Sequence, residues 1–148
     1  MLEQTPIAEI AAALGGASHD WGEAGEAATW ACFSRGAETL WLYSDGEMGD
    51  GKVTGIGLDA RDTAPASAQC TDWPAAVAVE LGIMGIGLPM DVIIPNYGTS
   101  QPDDYGWMRS INLAPDPANA QSQIWQELTF RQSDGIIDAV AVLQESGN

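Results

Sequence analysis

The pattern of apolar and polar residues along the chain repeats once: each half has an apolar stretch with helical spacing followed by three strand-like runs. Apolar residues at helical spacing follow Thr5-Pro6, and a second apolar helical stretch follows Leu88-Pro89. Each stretch is followed by three strand-like runs with alternating or continuous apolar character. The runs are residues 28–34, 38–44 and 52–59 in the first half, and residues 106–113, 123–132 and 136–144 in the second.

A constant offset relates the two halves. Pro6 and Pro89 are 83 residues apart (89 − 6), and Gly15 and Gly98 have the same separation (98 − 15). A repeat of this period indicates a duplicated supersecondary unit. We therefore predict an α+β fold of two tandem modules that share one core, each a helix plus a three-stranded antiparallel meander. The modules are residues 1–62 and 87–148, and residues 63–86 form a linker and an apolar segment.

The first hairpin is predicted to turn through a three-residue loop, Arg35-Gly36-Ala37. This loop pairs Ser34 with Glu38 and places Cys32 opposite Leu40. Trp30 and Cys32 then share the core face with Leu40 and Leu42, while Phe33 lies with Trp41 and Tyr43 on the other face.

The second hairpin turns at Asp134-Gly135, a strong signal for a two-residue turn. It pairs Ser133 with Ile136 and Arg131 with Asp138. Strict alternation from that turn assigns residues 137, 139, 141 and 143 to the core and Val140 and Val142 to the other face.

Three aromatic residues are predicted to lie outside the core of this sheet, Trp41, Tyr43 and Trp125, and Trp107 is expected nearby. Tryptophan and tyrosine are favoured anchors in protein interfaces, so these residues are candidate binding residues. The alternative is that they cover the helices or the other module.

The charge balance restricts the partners. The net charge is −16 because the chain has 21 acidic residues and only 5 Lys and Arg. Nucleic acid is excluded as a partner, since affinity for it needs clustered lysine and arginine residues. No apolar run is long enough to span a bilayer, so the chain is not an integral membrane protein. A basic protein would be attracted, although the acidity can also serve only solubility.

Two cysteines decide the predicted compartment. A bridge between Cys32 and Cys70 would close a long loop and indicate an oxidising environment, hence a periplasmic or secreted protein. The alternative is two free thiols in a cytoplasmic protein. The N-terminus shows no signal peptide, so localisation depends on the cysteines.

Three short segments resemble the β-lactamase-inhibitor-protein-like superfamily, which includes secreted β-lactamase inhibitors and small outer-membrane assembly lipoproteins of the SmpA/OmlA type. They read Gly87-Leu88-Pro89-Met90-Asp91-Val92, Asn96-Tyr97-Gly98-Thr99-Ser100 and Leu14-Gly15-Gly16-Ala17-Ser18. The resemblance implies a tandem helix-plus-meander fold. The leading functional hypothesis is a non-enzymatic module of the cell envelope that binds another protein or assists envelope assembly, and it is based on the aromatic residues outside the core.

Other chemistry is weaker. A small hydrolase would have to use the lone histidine, His19, with Asp20 or another carboxylate, or with Cys32, as its partner. Asp45, Glu47 and Asp50 are candidate calcium ligands in an acidic turn, although their spacing is not that of an EF-hand. The same 45–50 loop could instead plug the active site of an enzyme that the protein inhibits. No motif indicates a cofactor, and none is predicted.

Overall fold

In the computed structural model of the protein, residues 2–22, 27–45, 50–60, 70–79, 85–97, 101–117 and 119–146 are described. Within these ranges the helices are α1 (Ile7–Ala13) and α2 (Met90–Tyr97). The strands are β1 (His19–Trp21), β2 (Ala28–Arg35), β3 (Glu38–Asp45), β4 (Gly55–Asp59), β5 (Thr71–Asp72), β6 (Trp107–Asp116), β7 (Asn119–Ser133) and β8 (Ile136–Ser146).

All eight of these strands belong to one sheet with the order β1-β2-β3-β4-β8-β7-β6. Neighbours along this order are antiparallel, and β5 pairs in parallel with β2 beside β1. The strands β2, β3 and β4 form one meander and β6, β7 and β8 form another. The two meanders meet where β4 pairs with β8, from Gly55 opposite Leu143 to Asp59 opposite Ala139.

The predicted fold class is wrong. The described chain is mostly antiparallel sheet, and its two helices have only 7 and 8 residues, so it is not an α+β protein of two tandem modules. The β4–β8 pairing makes the difference, because it satisfies backbone groups that two separate meanders would leave at exposed edges. The predicted strands themselves are found within a few residues of their expected bounds.

One face of the sheet, the covered face, carries the core. Ile7 and Ala11 of α1 pack against Phe33, Leu40 and other buried residues of the first meander. Near α2, the partly buried Leu88 and Met90 pack against buried residues of the second meander: Met108, Leu128, Phe130, Ile137 and Val140. Leu58 of β4 contacts both clusters, so the core is continuous across the junction.

The predicted register of the first hairpin is wrong by one residue. Arg35 pairs with Glu38, so the turn has two residues, and Gly36 takes a positive φ of 62° that suits glycine. Cys32 therefore lies opposite Trp41 and Phe33 opposite Leu40. The predicted faces of β3 hold, whereas those of β2 are reversed, because a one-residue slip moves every side chain to the other face.

A bulge changes the second hairpin. Ser133 pairs with Ile136 as predicted, but the register shifts between Arg131 and Gln132, and Arg131 then lies opposite Ala139. Beyond the bulge, Val140 and Val142 of β8 lie on the covered face, and Ala139, Ala141 and Leu143 lie on the other face. The predicted faces of β8 are therefore reversed past the bulge.

The predicted disulfide is confirmed. Cys32 and Cys70 are joined, with their Cα atoms 4.7 Å apart. The bridge fastens residue 70, next to β5, onto the centre of β2. Of the described helices, none is long and apolar enough to cross a membrane.

Removing the disulfide is expected to destabilise the fold. The bridged residues are 38 positions apart, and the chain-entropy model gives about 4 kcal/mol for a closed loop of that size. We expect the Cys32→Ser/Cys70→Ser variant to unfold at a clearly lower urea concentration than the oxidised protein. Adding reductant should lower the wild-type midpoint and leave the variant unchanged. An unchanged wild-type midpoint would contradict this assignment.

Candidate functional site

The face of the sheet opposite the core is called here the groove face. Alternation along the strands places on it the side chains of Trp41 and Tyr43 of β3, Ala141 and Leu143 of β8, and Trp107 of β6. None of them belongs to the two core clusters, and Tyr43 is 39% exposed.

A shallow apolar groove of about 290 Å³ crosses the middle of this face. Trp41 and Tyr43 form one wall, and Trp107 and Leu143 line the opposite side. Between them the floor consists of small residues, Gly55, Gly57 and Ala141, in neighbouring strands. We call this feature the central groove. A more polar depression of about 610 Å³, lined by Gln101, Asp103, Arg109 and Thr129, shares Trp107 and Ala141 with it.

The backbone conformation does not require glycine at the two floor positions, residues 55 and 57. Neither Gly55 nor Gly57 has a positive φ. A Cβ on Gly57 would meet Ala141 Cβ at 3.4 Å and Trp41 Cβ at 3.8 Å, and a Cβ on Gly55 would meet Leu143 at 3.5 Å, all ordinary contacts. Glycine within a strand is destabilising and often marks a place where another group approaches closely. Because these two residues have no side chain, the groove is deeper at their positions.

Trp107 is held in place by the turn that precedes β6 and by a buried arginine. Asp103 Oδ1 accepts hydrogen bonds from the backbone N–H groups of Tyr105 and Trp107, both at 2.9 Å. The guanidinium carbon of Arg131 lies 4.8 Å from the centroid of a Trp107 ring. The indole therefore rests on a fixed cation rather than on a mobile side chain.

Arg131 is itself the centre of a charge cluster. It is 3% exposed; its Nε donates to Asp138 Oδ1 at 2.8 Å and its Nη2 donates to Asp59 Oδ1 at 3.1 Å. The pKa of Asp59 is raised, chiefly because the carboxylate is buried, and the negative charge of Asp138 raises it further. The guanidinium of Arg131 lowers this pKa without cancelling the rise. Arg131 is thus the counter-charge for two carboxylates, Asp59 and Asp138.

An aromatic row approaches the groove from the β1 edge. The ring of His19 stacks on Trp30 with centroids 4.5 Å apart, and Trp30 lies 5.8 Å from Trp41 at a tilted angle. The disulfide at Cys32 lies opposite Trp41 in the register. Trp41 is therefore supported by Trp30 and by the bridge.

Carboxylates lie beyond the end of the groove that Tyr43 and Leu143 form. Asp45 follows Tyr43 on the same side of β3, and Glu145 follows Leu143 on the same side of β8. Burial raises the pKa of Tyr43, and the charges of Asp45 and Glu145 raise it further. Burial also raises the pKa of Glu145, with Asp45, Glu127 and Glu3 adding to the rise. This end is strongly negative.

Three of the four predicted binding residues come together in one place. Trp41, Tyr43 and Trp107 line the central groove, while Trp125 lies farther along the same face, opposite Glu145, and is 41% exposed. Their binding role stays a prediction.

The predicted catalytic pairs are not assembled. Asp20 accepts a hydrogen bond from the Thr29 hydroxyl, and alternation along β1 puts it on the face opposite His19. Cys32 is consumed by the disulfide, so it is no nucleophile for His19. For the calcium prediction, Glu47 lies outside the described residues. Among the described residues no group of three His, Cys, Asp or Glu is placed to hold a metal ion.

Sequence reasoning missed the floor of the groove. Gly55 and Gly57 alternate with Ile56 and Leu58, and that signal of a one-sided glycine pair is visible in the sequence. Ala141 was assigned to the core, because the bulge that turns it to the groove face has no clear local signature.

Comparison of the chain with protein-family models, with curated proteins and with solved structures finds no significant match.

Replacing Arg131 with Met is expected to lower the free energy of unfolding by about 3–5 kcal/mol at pH 7, because Asp59 and Asp138 lose their buried counter-charge. The pKa of Asp59, already raised in the folded protein, should rise further. A raised folded-state pKa favours the native state at low pH, and this contribution is lost as the pH rises through that pKa. The defect should therefore be full at neutral pH and shrink as the pH falls toward the ordinary pKa of 3.8.

The matched control is Arg109→Met. The Arg109 side chain is 61% exposed and pairs with Glu127, so its loss should cost about 0–1 kcal/mol. Urea unfolding of both variants between pH 4 and pH 7 measures the difference. Equal destabilisation by the two substitutions, or an effect of Arg131→Met that is independent of pH, would contradict the buried-cluster interpretation.

Proposed function

We propose that the protein is a non-enzymatic binding protein of the periplasm or the secreted space that holds a segment of another protein in the central groove. The observation that carries the proposal is the construction of the groove. Aromatic walls stand beside a floor of glycines that neither the backbone conformation nor the packing requires. Tryptophan and tyrosine are the residues most enriched among interface anchors.

The shape of the groove favours an extended segment. Its floor runs along the antiparallel strands β4 and β8, which are buried on their other side by the core. A segment lying between Trp41 and Trp107 would cover apolar surface that is otherwise left in contact with water, which favours association. Because the walls are fixed by the disulfide, by Trp30 and by Arg131, little ordering of the protein would accompany binding.

The proposed compartment is supported by the disulfide. Such bonds persist in oxidising environments and are rare in the cytosol. A non-enzymatic role agrees with the separation of His19 from Asp20 and with the engagement of Cys32 in the disulfide, two of the partners considered for His19 in a hydrolase.

A groove-filling substitution tests the proposal. Gly57→Val places two methyl groups over the floor between Trp41 and Ala141 without an imposed backbone change. A displayed library of random peptides is selected on the wild-type protein and counter-selected on Gly57→Val. We expect peptides whose affinity falls at least tenfold, about 1.4 kcal/mol, on Gly57→Val and on Trp41→Ala.

The matched control for aromatic removal is Trp21→Ala. Trp21 is 67% exposed on β1 and does not line the groove, so affinity should be unchanged. Gly57→Val should fold with unchanged or higher stability, by about 0.5–1 kcal/mol, because glycine is unfavourable in a strand. The proposal is overturned if no selected peptide depends on the groove, that is, if all bind Gly57→Val as well as wild type.

A further inference from the structure

We infer that the protein forms a two-fold dimer through the outer edge of β6. In this dimer β6 of a second copy pairs antiparallel with β6 of the first, the two sheets become one, and the two-fold axis passes beside Asn112. The inference does not depend on the proposed function, since residues 110–115 do not line the central groove.

The two edges of the sheet are unequal. β1, at one edge, has only three residues, and one of them is the charged Asp20. β6, at the other edge, has ten residues, and no described strand pairs with its outer side. Residues 110–115 carry no charged side chain, and only Pro115 at their end lacks a backbone N–H. A long, uncharged edge of this kind is a template for pairing with another strand.

The backbone groups of Ile111 and Leu113 point to this outer side. The N–H of Trp107 donates to Asp103 Oδ1 and its C=O accepts from the Asp103 N–H, both at 2.9 Å, so Trp107 faces away from β7. The direction of these groups alternates along an antiparallel strand, which turns Asn112 toward β7 and its two neighbours outward. Within the described part of the chain, the outward N–H and C=O groups of Ile111 and Leu113 have no hydrogen-bond partner.

A second copy supplies matching groups. With the two-fold axis beside Asn112, Ile111 of each copy lies opposite Leu113 of the other. Both members of such a pair have outward N–H and C=O groups, so each pair exchanges two backbone hydrogen bonds. The same edge serves both copies, which is the condition for a closed two-fold dimer.

The ends of β6 select this register. Trp107 lies opposite residue 117 of the second copy, past the end of its β6, so the turn at Asp103 meets no strand there. With the axis beside Ile111 instead, Trp107 would lie opposite Pro115. No backbone N–H would then be left for that pair, because the N–H of Trp107 is already taken and proline has none.

A row of carboxamides leads across the covered face to the axis. Asn112 Nδ2 donates to Gln126 Oε1, and Gln126 Nε2 donates to Gln144 Oε1, both at 3.2 Å. The Asn112 carboxamide has a second N–H and a carbonyl oxygen, and Asn112 of the second copy offers the same two groups in the reverse direction. Opposed residues of a non-hydrogen-bonded pair have the closest side chains, so the two carboxamides can bond to each other and fix the register.

The groove-face side of the pairing is apolar. Ile111 is 47% exposed, Leu113 is 54% exposed, and Trp125, which lies opposite Leu113 in β7, is 41% exposed. In the dimer, Ile111 and Leu113 of the two copies become direct cross-strand neighbours, and their burial favours association. Glu127, opposite Ile111 in β7, is already paired with Arg109.

Size and charge set the strength of this contact. A single pair of strand edges buries less than the about 1,200 Å² of a stable interface, so we expect a dissociation constant of about 10–100 µM. The net charge of −16 on each copy opposes association at long range, and the uncharged residues 110–115 keep carboxylates out of the contact. Salt screens the repulsion, so the dimer should strengthen as salt rises, whereas binding of a basic partner would weaken.

Sedimentation equilibrium of the full chain tests the contact. We expect a monomer–dimer equilibrium between about 5 and 500 µM, with tighter association in about 0.5 M than in about 0.05 M salt. Ile111→Lys should weaken the dimer at least about tenfold, because a lysine on an edge strand opposes pairing. The matched control is Ile136→Lys, which adds the same charge at a residue that is 41% exposed at the start of β8, and it should dimerise like the wild type.

An introduced cysteine tests the register. In Asn112→Cys the new cysteines of the two copies lie opposite each other with Cα atoms about 4.5 Å apart, within disulfide range. In Ser110→Cys they are separated by four residues along the strands, about 13 Å, so they cannot bond. Mild oxidation, with the native Cys32–Cys70 bridge intact, should give a covalent dimer of Asn112→Cys and none of Ser110→Cys.

The opposing outcomes are specific. A chain that stays monomeric up to about 500 µM in about 0.5 M salt overturns the inference. A dimer that Ile111→Lys and Ile136→Lys weaken equally, or that Asn112→Cys does not trap, overturns it as well. Gly57→Val, which fills the central groove, should dimerise like the wild type, so a failure of the binding function leaves the dimer in place, and the reverse also holds.

Discussion

The pairing of β4 with β8 is the contact on which the rest of the structure depends. It joins two meanders that would each leave an edge strand exposed, and it runs from Gly55 opposite Leu143 to Asp59 opposite Ala139. Backbone hydrogen bonds across this junction make one sheet, and Leu58 joins the two core clusters beneath it. The same junction supplies the floor of the central groove, so the strands that hold the molecule together also present its candidate binding surface.

The two sides of that sheet are built differently. The covered face is filled by large apolar side chains and by the short helices, which is how a sheet of this kind gains most of its stability. The groove face gives up packing at Gly55 and Gly57. It also buries Arg131 between Asp59 and Asp138, with the guanidinium against the Trp107 ring. Buried ion pairs contribute little net stability, so the role of this cluster is better understood as positioning.

Negative charge also opposes stability on the groove face. The ionised forms of Asp59 and Glu145 are both made unfavourable by burial, and for Glu145 neighbouring carboxylates add to the effect. Glycines in strands, a half-exposed Tyr43 and crowded carboxylates lie together at one place. Local departures from the most stable choice are typical of functional sites, and here they coincide with the apolar groove that Trp41, Tyr43 and Trp107 share.

The sequence by itself determined the positions of the six strands of the two meanders, though not those of β1 and β5. It also determined the two-residue turn at Asp134-Gly135, the pairing of Cys32 with Cys70 and the placement of Trp41 and Tyr43 outside the core. These features follow from local periodicity, turn chemistry and a count of two cysteines. Tertiary structure decided that the meanders form one sheet, since strand pairing across distant segments leaves no local signal. It also decided which side chains of β2 and β8 face the groove. One residue fewer in the first turn and one bulge at Arg131 each reversed a face, because side chains in a strand alternate with a period of two.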